Sequence, residues 1–424
     1  MATLQSQPQL ASAAASAVIP SLRSNFAWTL AGNVVYAGCQ WGMLSCLAKL
    51  GNPTIVGQFT LGLAISAPVF MFTNLQLRAV QATDVNAESS FAHYFTLRFL
   101  ATVLGMLAVL ALLPFSASSG AVRAVILLVS LSKCLECMSD VTAGLLQREE
   151  QLKRVAISLM IRGVISVVVF SSAFALTRNL VLSIIGMCAV WACVLLFYDL
   201  PNVRRFGRFH NSFFHFDRHE LSRLAFLGLP LGWVATCASL KANIPRYFLQ
   251  HDRGLSEQGI YASLAYLVIA INPLVSALTV AVTTRLANLY AQKNSRLFVR
   301  ILTQFSLSGC VFILVGVPLA LLLGRSLISL VYNSEYAAYV TLLALLVCVA
   351  GLSTISSFIF CGLTAARSFR SQVPIYVIAI IIATIASAQL IPTHGLNGAG
   401  TALLLSESVL VIGGLYTLRR QLGL

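Results

Sequence analysis

"DLPNVRRFGRFHNSFFHFDRHELSR", residues 199–223, is the longest polar connection in a chain that is otherwise almost continuously apolar. It is basic and aromatic, which suits a segment lying on a lipid headgroup surface. Upstream of it, apolar runs of spanning length fall near 26–48, 54–76, 95–115, 121–147, 155–177 and 179–199. Downstream they fall near 223–249, 257–284, 299–323, 338–364, 371–391 and 396–418. A hydrocarbon core about 30 Å thick needs roughly 20 apolar residues at 1.5 Å rise each, so each run can cross once. The connection therefore divides about twelve predicted transmembrane helices into six and six. The composition agrees: 58% of the 424 residues are hydrophobic and 10% charged, with a mean hydropathy of +0.86. Soluble domains carry about a quarter charged residues. The expected class is an all-α polytopic membrane protein.

The expected units are a disordered cytoplasmic N-terminus (1–22), an N-lobe of spans one to six (23–199), a basic cytoplasmic linker (200–222) and a C-lobe of spans seven to twelve (223–424). No basic residue precedes Arg23, so the opening segment lacks the basic n-region of a signal peptide and no cleavage is expected. The segment "GRSLISLVYNSEYAAY" (324–339) reads as an interfacial turn rather than a span.

The formal net charge is +15. With the N-terminus inside, 19 Lys and Arg fall at inside positions and six at outside positions. The positive-inside rule selects that orientation, with both termini cytoplasmic. Loop charge facing anionic membrane lipid then accounts for most of the balance, and no nucleic acid is expected. Arg78, Arg246 and Arg285 sit at span ends, where they can snorkel to the surface.

The two halves share a weak repeat. Gly57 with Phe59 in span two corresponds to Gly259 with Tyr261 in span eight. Both copies enter from the same side, so the repeat is parallel, as in transporters that rock two halves about a central site. Pro68, Pro230, Pro245, Pro273, Pro318 and Pro374 lie inside spans, where each can kink its helix.

Charged side chains inside spans are costly and face a bundle interior or a water-filled cavity. They are Lys133, Glu136 and Asp140 in span four, Arg162 in span five, Lys241 in span seven and Glu407 in span twelve. At about 100° per residue, Ser130, Lys133, Glu136, Cys137, Asp140, Gly144 and Gln147 share a stripe roughly 120° wide. Such a stripe lines a cavity; the alternative is a Lys133–Glu136 pair, i to i+3, that only holds helices together. Asp140 is left over, with Arg162 as its expected partner. Glu407 has no basic neighbour in sequence, which makes it a candidate proton carrier or a neutral acid bonded across an interface. Asn33, Tyr36 and Gln40 share a face of span one, suited to sugar hydroxyls or to interhelical bonds.

Ten cysteines lie within apolar runs, and small packing residues are expected there. The pair Cys134 and Cys137 lacks the second pair a metal site needs. His210, His215 and His219, spaced by five and four, allow a metal site only as the minor alternative to ordinary linker histidines, so no metal and no cofactor is expected. There is no nucleophile–base pair, no Gly-rich phosphate loop and no long external loop to house an enzyme site. An enzyme is not expected.

"SLRSNFAWTLAGNVVYAGCQWGMLSCLAKLGNPTIVGQFTLGLAISAPVFMFTNLQLRAV" (21–80), "GLLQREEQLKRVAISLMIRG" (144–163) and "SLISLVYNSEYAAYVTLL" (326–343) resemble Wzx-type polysaccharide and O-antigen flippases of the multidrug/oligosaccharidyl-lipid/polysaccharide (MOP) superfamily. The resemblance implies two six-helix lobes around a central cavity in a bacterial cytoplasmic (inner) membrane. It implies transfer of an undecaprenyl-pyrophosphate-linked oligosaccharide between leaflets for lipopolysaccharide or another surface polysaccharide, beside a polymerase and glycosyltransferases. Cavity cations, here Lys133, Arg162 and Lys241, would hold the anionic headgroup. Glu136, Asp140 or Glu407 would carry any proton or ion coupling. A cation-coupled drug exporter of the same superfamily and a structural partner of an envelope assembly remain as alternatives.

Overall fold

A computed structural model of the chain describes residues 22–84, 89–116, 119–206, 213–269, 272–366, 368 and 371–422. The N-terminal segment, Arg208, His210, Arg367 and Arg370 lie outside the described residues. The helices are α1 (Leu22–Leu50), α2 (Pro53–Thr73), α3 (Leu77–Thr83), α4 (Phe91–Ser116), α5 (Gly120–Arg148), α6 (Leu152–Thr177), α7 (Leu180–Val194), α8 (Leu200–Phe206), α9 (Arg218–Asp252), α10 (Leu255–Ile269), α11 (Asn272–Ala291), α12 (Ser295–Val331), α13 (Val340–Ala365) and α14 (Gln372–Leu422). A π-helical turn, Leu195–Asp199, joins α7 to α8, and a 3-10 turn, Ser334–Tyr339, leads into α13. Helices are what lipid demands, because each satisfies its own backbone groups. Their starts are written in polar caps. Asn52 accepts from Ile55 N at 3.0 Å before Pro53, Asn179 accepts from Leu182 N at 3.2 Å, and Asn294 accepts from Leu297 N at 3.1 Å.

Eight helical stretches are long and apolar enough to cross a membrane. One is α14, whose 51 residues would rise about 76 Å, far beyond one bilayer. Gly395 breaks it with φ 55° and ψ −130°, so 372–394 and 396–422 form two passes. Helices α1 and α5 are of spanning length but more polar, α10 and α11 cover 255–269 and 272–291, and with them the described residues accommodate twelve passes. Bonds between helix ends and turns fit an up-and-down order. On the side away from the termini, Lys49 Nζ donates to Leu330 O at 3.0 Å and Arg253 Nη2 to Pro392 O at 2.8 Å. On the terminal side, Ser89 Oγ donates to Glu220 Oε2 at 2.9 Å, and Gln421 Nε2 to Tyr290 OH at 3.3 Å.

Equivalent packings recur in the two halves: α2 on α5 is matched by α10 and α11 on α13, and α4 on α5 by α12 on α13. The architecture is two six-span lobes, with α2 of one packed against α9 and α10 of the other. Away from the termini, that interface is a backbone-to-backbone crossing of Gly57 and Gly259, the two glycines matched by the repeat. A Cβ on Gly57 would stand 1.9 Å from Leu255 O, and one on Gly259 1.9 Å from Pro53 O. Beside them the fully buried Gln258 donates through Nε2 to Thr60 Oγ1 at 3.2 Å. Asn333 Nδ2 to Ala48 O, at 3.0 Å, adds a further tie at the same level.

Two boundaries differ from the sequence reading. The connection expected over 200–222 begins as α8 and ends inside α9, because its aromatic residues pack on α4: Phe213 and Phe214 lie 5.5 and 5.3 Å from the Phe95 ring. Residues 324–331 continue α12, and the turn begins only after Val331. Gly324 makes this continuation possible by letting α13 approach, with Leu343 3.3 Å from its Cβ position.

Candidate functional site

A cavity of about 280 Å³ lies in the terminal-side half of the N-lobe. Its walls are the first half of α1 (Asn33, Tyr36), the end of α2 with Arg78 of α3, the second half of α5, the first half of α6 and Asp199. The far-side crossing lies beyond it, so the lobes are sealed on one side and the cavity sits on the other. Helix α5 presents Lys133, Glu136 and Asp140 to this space, as the helical wheel requires. Gly144, on the same stripe, is used differently: a Cβ there would meet Gln81 Oε1 at 2.2 Å, so it admits α3.

Each charge has a distinct setting. Lys133 Nζ donates to Glu136 Oε2 at 2.7 Å, and Tyr36 OH donates to Glu136 Oε1 at 3.2 Å. Asp140 does not pair with Arg162. It accepts from Arg78 Nη1 at 3.3 Å and from Arg98 Nη2 at 3.2 Å. Arg98 is fully buried, and its Nη1 also holds Asn74 O at 2.9 Å. Arg78, expected at the surface, and Arg98 therefore clamp the end of α2 to α5.

Arg162 stands apart. Its guanidinium lies 5.1 Å from the Tyr36 ring and 5.2 Å from the Trp191 ring, within cation–π range. The side chain is buried, and among the described residues Nε and Nη1 find no hydrogen-bond partner. Trp191 is fixed by its own bond, Nε1 to Ser166 Oγ at 2.8 Å. One turn before Arg162, Ser158 Oγ donates to Asp199 Oδ1 at 2.6 Å. Asp199 is buried, and its Oδ2 has no partner among the described residues. The π turn rotates this carboxylate onto the cavity wall; such turns recur at functional sites. Sequence reasoning placed Asp199 at a span end and missed it, although an acid amid "VLLFYDLP" (194–201) is the signal that was available.

Lys241 and Glu407 are not in this cavity. They pair with one another inside the C-lobe, between α9 and the second pass of α14, where Ser356 Oγ also donates to Glu407 Oε2 at 3.4 Å. Glu407 is thus not an orphan acid, and Lys241 is not free for a headgroup. Arg246, expected to snorkel, is buried with its guanidinium 5.8 Å from the Tyr266 ring. Of the span-one face, Asn33 and Tyr36 line the cavity and Gln40 does not. Among the described residues no three His, Cys, Asp or Glu side chains gather as a metal site. The cavity is arranged to bind: among the described residues three cations (Arg78, Lys133, Arg162) and three acids (Glu136, Asp140, Asp199) line it, and Arg162 carries no ion pair.

Residues 22–284 match the model of the family described as "Polysaccharide biosynthesis protein". The chain belongs to this polysaccharide biosynthesis family. It is 27% identical to the capsular polysaccharide biosynthesis protein CapF of Staphylococcus aureus over 400 residues, 93% of this chain and 99% of that one. Its fold resembles an inward-facing multidrug resistance MATE family transporter of the MOP superfamily (TM-score 0.64, 14% identity, 94% of both chains). It also resembles a MOP superfamily transporter from Pyrococcus furiosus whose binding pocket is described as having reverse polarity (TM-score 0.64, 15% identity, 96% of this chain and 97% of that one). This member of the polysaccharide biosynthesis family therefore has a multi-pass, MATE-like two-lobe fold.

Proposed function

We propose that this chain carries a lipid-linked polysaccharide precursor across a bacterial cytoplasmic membrane, holding the anionic diphosphate headgroup at Arg162. The observation that carries this reading is a buried guanidinium on a cavity wall with no acid paired to it among the described residues. An unpaired buried charge is costly unless a ligand compensates it, and a guanidinium suits phosphate oxygens. Lys133 is the second cation within the cavity and can share the headgroup when Glu136 turns to Tyr36. Asn33 and Tyr36 offer polar groups to the first sugar. Asp140 and the Lys241–Glu407 pair serve structure instead.

The terminal side is the cytoplasmic side in this reading, since the inside positions hold most of the loop charge. Glycosyltransferases then load the precursor from that side, and a polymerase consumes it on the other. The N-lobe (23–199) and C-lobe (223–424) rock about the α2–α10 contact. Drug export is less well served, because a cationic drug would meet Arg162 and Lys133.

The test is complementation in a host lacking the gene. Arg162→Ala is expected at normal membrane level with surface polysaccharide lost and lipid-linked intermediate accumulated. Wild-type export by Arg162→Ala, or drug sensitivity of the deletion without accumulated intermediate, would overturn the proposal.

A further inference from the structure

Among the described residues four basic side chains are buried: Arg98, Arg162, Lys241 and Arg246. Asp140 closes Arg98, and Glu407 closes Lys241. Arg162 in the N-lobe and Arg246 in the C-lobe have no acid partner among the described residues, so each lobe carries one open buried cation. Arg246 belongs to α9. Its Nη1 donates to Asn243 Oδ1 at 3.3 Å, one turn back towards the terminal side, and its Nε finds no partner among the described residues. The headgroup reading uses Arg162 and leaves Arg246 without a role.

The two arginines stand at different depths. Helix α6 starts on the terminal side, and Arg162 is ten residues in, about 15 Å of rise. Helix α9 ends on the far side, and Arg246 is six residues before that end, about 9 Å of rise. The far-side seal lies next to it. Tyr261 follows Gly259 of the crossing by two residues, and its hydroxyl is buried, unpartnered among the described residues and within electrostatic reach of Arg246. Towards the bundle centre the Arg246 guanidinium meets the Tyr266 ring. Tyr266 is in turn within electrostatic reach of Lys133, which lines the N-lobe cavity. Arg162, Lys133 and Arg246 thus form a succession of cations that begins in the cavity, changes lobe and ends beneath the seal.

We infer that Arg246 is a second anion station, to which the diphosphate passes from Arg162 as the lobes rock. This rests on the headgroup reading above and adds a step to it: the headgroup changes lobes instead of being held at one site in both states. Electrostatics gives the reason. A diphosphate held only at Arg162 would leave for the far side through a low-dielectric interior with no counter-charge, which is costly. Arg246 supplies that charge near the exit, and its planar fork suits phosphate oxygens. The Tyr261 hydroxyl offers a further donor beside it. Arg246 does not line the cavity in the state described here, which fits a station that opens only when the far-side seal parts.

The experiment makes two measurements with one probe, a polyprenyl-diphosphate-linked N-acetylhexosamine: equilibrium binding to the full-length protein in detergent, and leaflet-to-leaflet movement in proteoliposomes. Arg246→Gln is expected to bind as wild type does and to move the lipid at least about tenfold more slowly, because it loses a charged contact made only in transit. Arg246→Lys keeps the charge without the fork, and its movement is expected to fall between the two. Arg162→Ala is expected to lose binding itself. Wild-type movement by Arg246→Gln, or loss of its binding to the level of Arg162→Ala, would overturn the second station and leave the headgroup reading standing. Absence of wild-type binding would overturn both. Should Arg246→Gln fail to fold, Arg246→Lys decides. Slower movement at unchanged binding then supports the transfer, and movement equal to wild type, or binding and movement falling together, overturns it.

Discussion

Charges that look alike in the sequence have opposite duties, and substitution separates them. Asp140→Ala strands the fully buried Arg98, and breaking a buried pair costs roughly 3–5 kcal/mol; the expected result is a large fall in folded protein, read by detergent size-exclusion profiles. Arg162→Ala removes no ion pair among the described residues, so thermal stability is expected to hold while headgroup binding is lost. Glu407→Gln leaves Lys241 buried and charged, with an expected loss of similar size to Asp140→Ala. Joint Lys241→Met and Glu407→Leu is expected to recover much of it, because matched apolar groups need no counter-charge. No recovery in the double variant would show a role beyond packing. The sequence carried part of this. A wheel was enough to place Lys133, Glu136 and Asp140 on one face, since helical periodicity is local. Partner choice was not local: Asp140 meets arginines 42 and 62 positions away, and Lys241 meets Glu407 at a separation of 166.

Among the helices, breaks and turns matter more than apolarity. Gly395 adopts φ 55° with ψ −130°, a conformation essentially reserved for glycine, and the following Gly398 packs with its Cβ position 2.1 Å from Leu390 O. Gly395→Ala is expected to cost roughly 1–3 kcal/mol of backbone strain. Gly38→Ala, where a Cβ meets nothing within 4 Å, is the control, with no loss expected in a thermal-shift assay. The elbow after α2 stores strain too. Leu75 and Gln76 have φ 51° and 49°, held by the Arg98 bond to Asn74 O and by α9 closing on Leu75 at Gly228. Span positions and the break between spans eleven and twelve were legible, because runs of twenty apolar residues and a glycine leave plain marks. The π turn was not. It depends on how α7 packs on α5 and α6, and nothing in "LLFYD" (195–199) announces it.

The two lobes form one machine around the Gly57–Gly259 crossing. Thr60→Cys with Gln258→Cys is expected to form a disulfide in the terminal-side-open state and to block transport until reduced. Gly57→Leu or Gly259→Leu, which drives a side chain into the facing backbone, is expected to prevent that link and export alike. The weak repeat in the sequence had marked these glycines as equivalents, but their contact is a property of the assembled fold. All of this turns on whether the buried arginine handles the headgroup of a lipid-linked saccharide. The direct measurement is leaflet-to-leaflet movement of a fluorescent polyprenyl-diphosphate-linked sugar in proteoliposomes. The expected result is protein-dependent movement by wild type and its loss in Arg162→Ala, with the Thr60–Gln258 cysteine link still forming in the variant background. Equal movement by wild type and Arg162→Ala, or none by wild type, would contradict it.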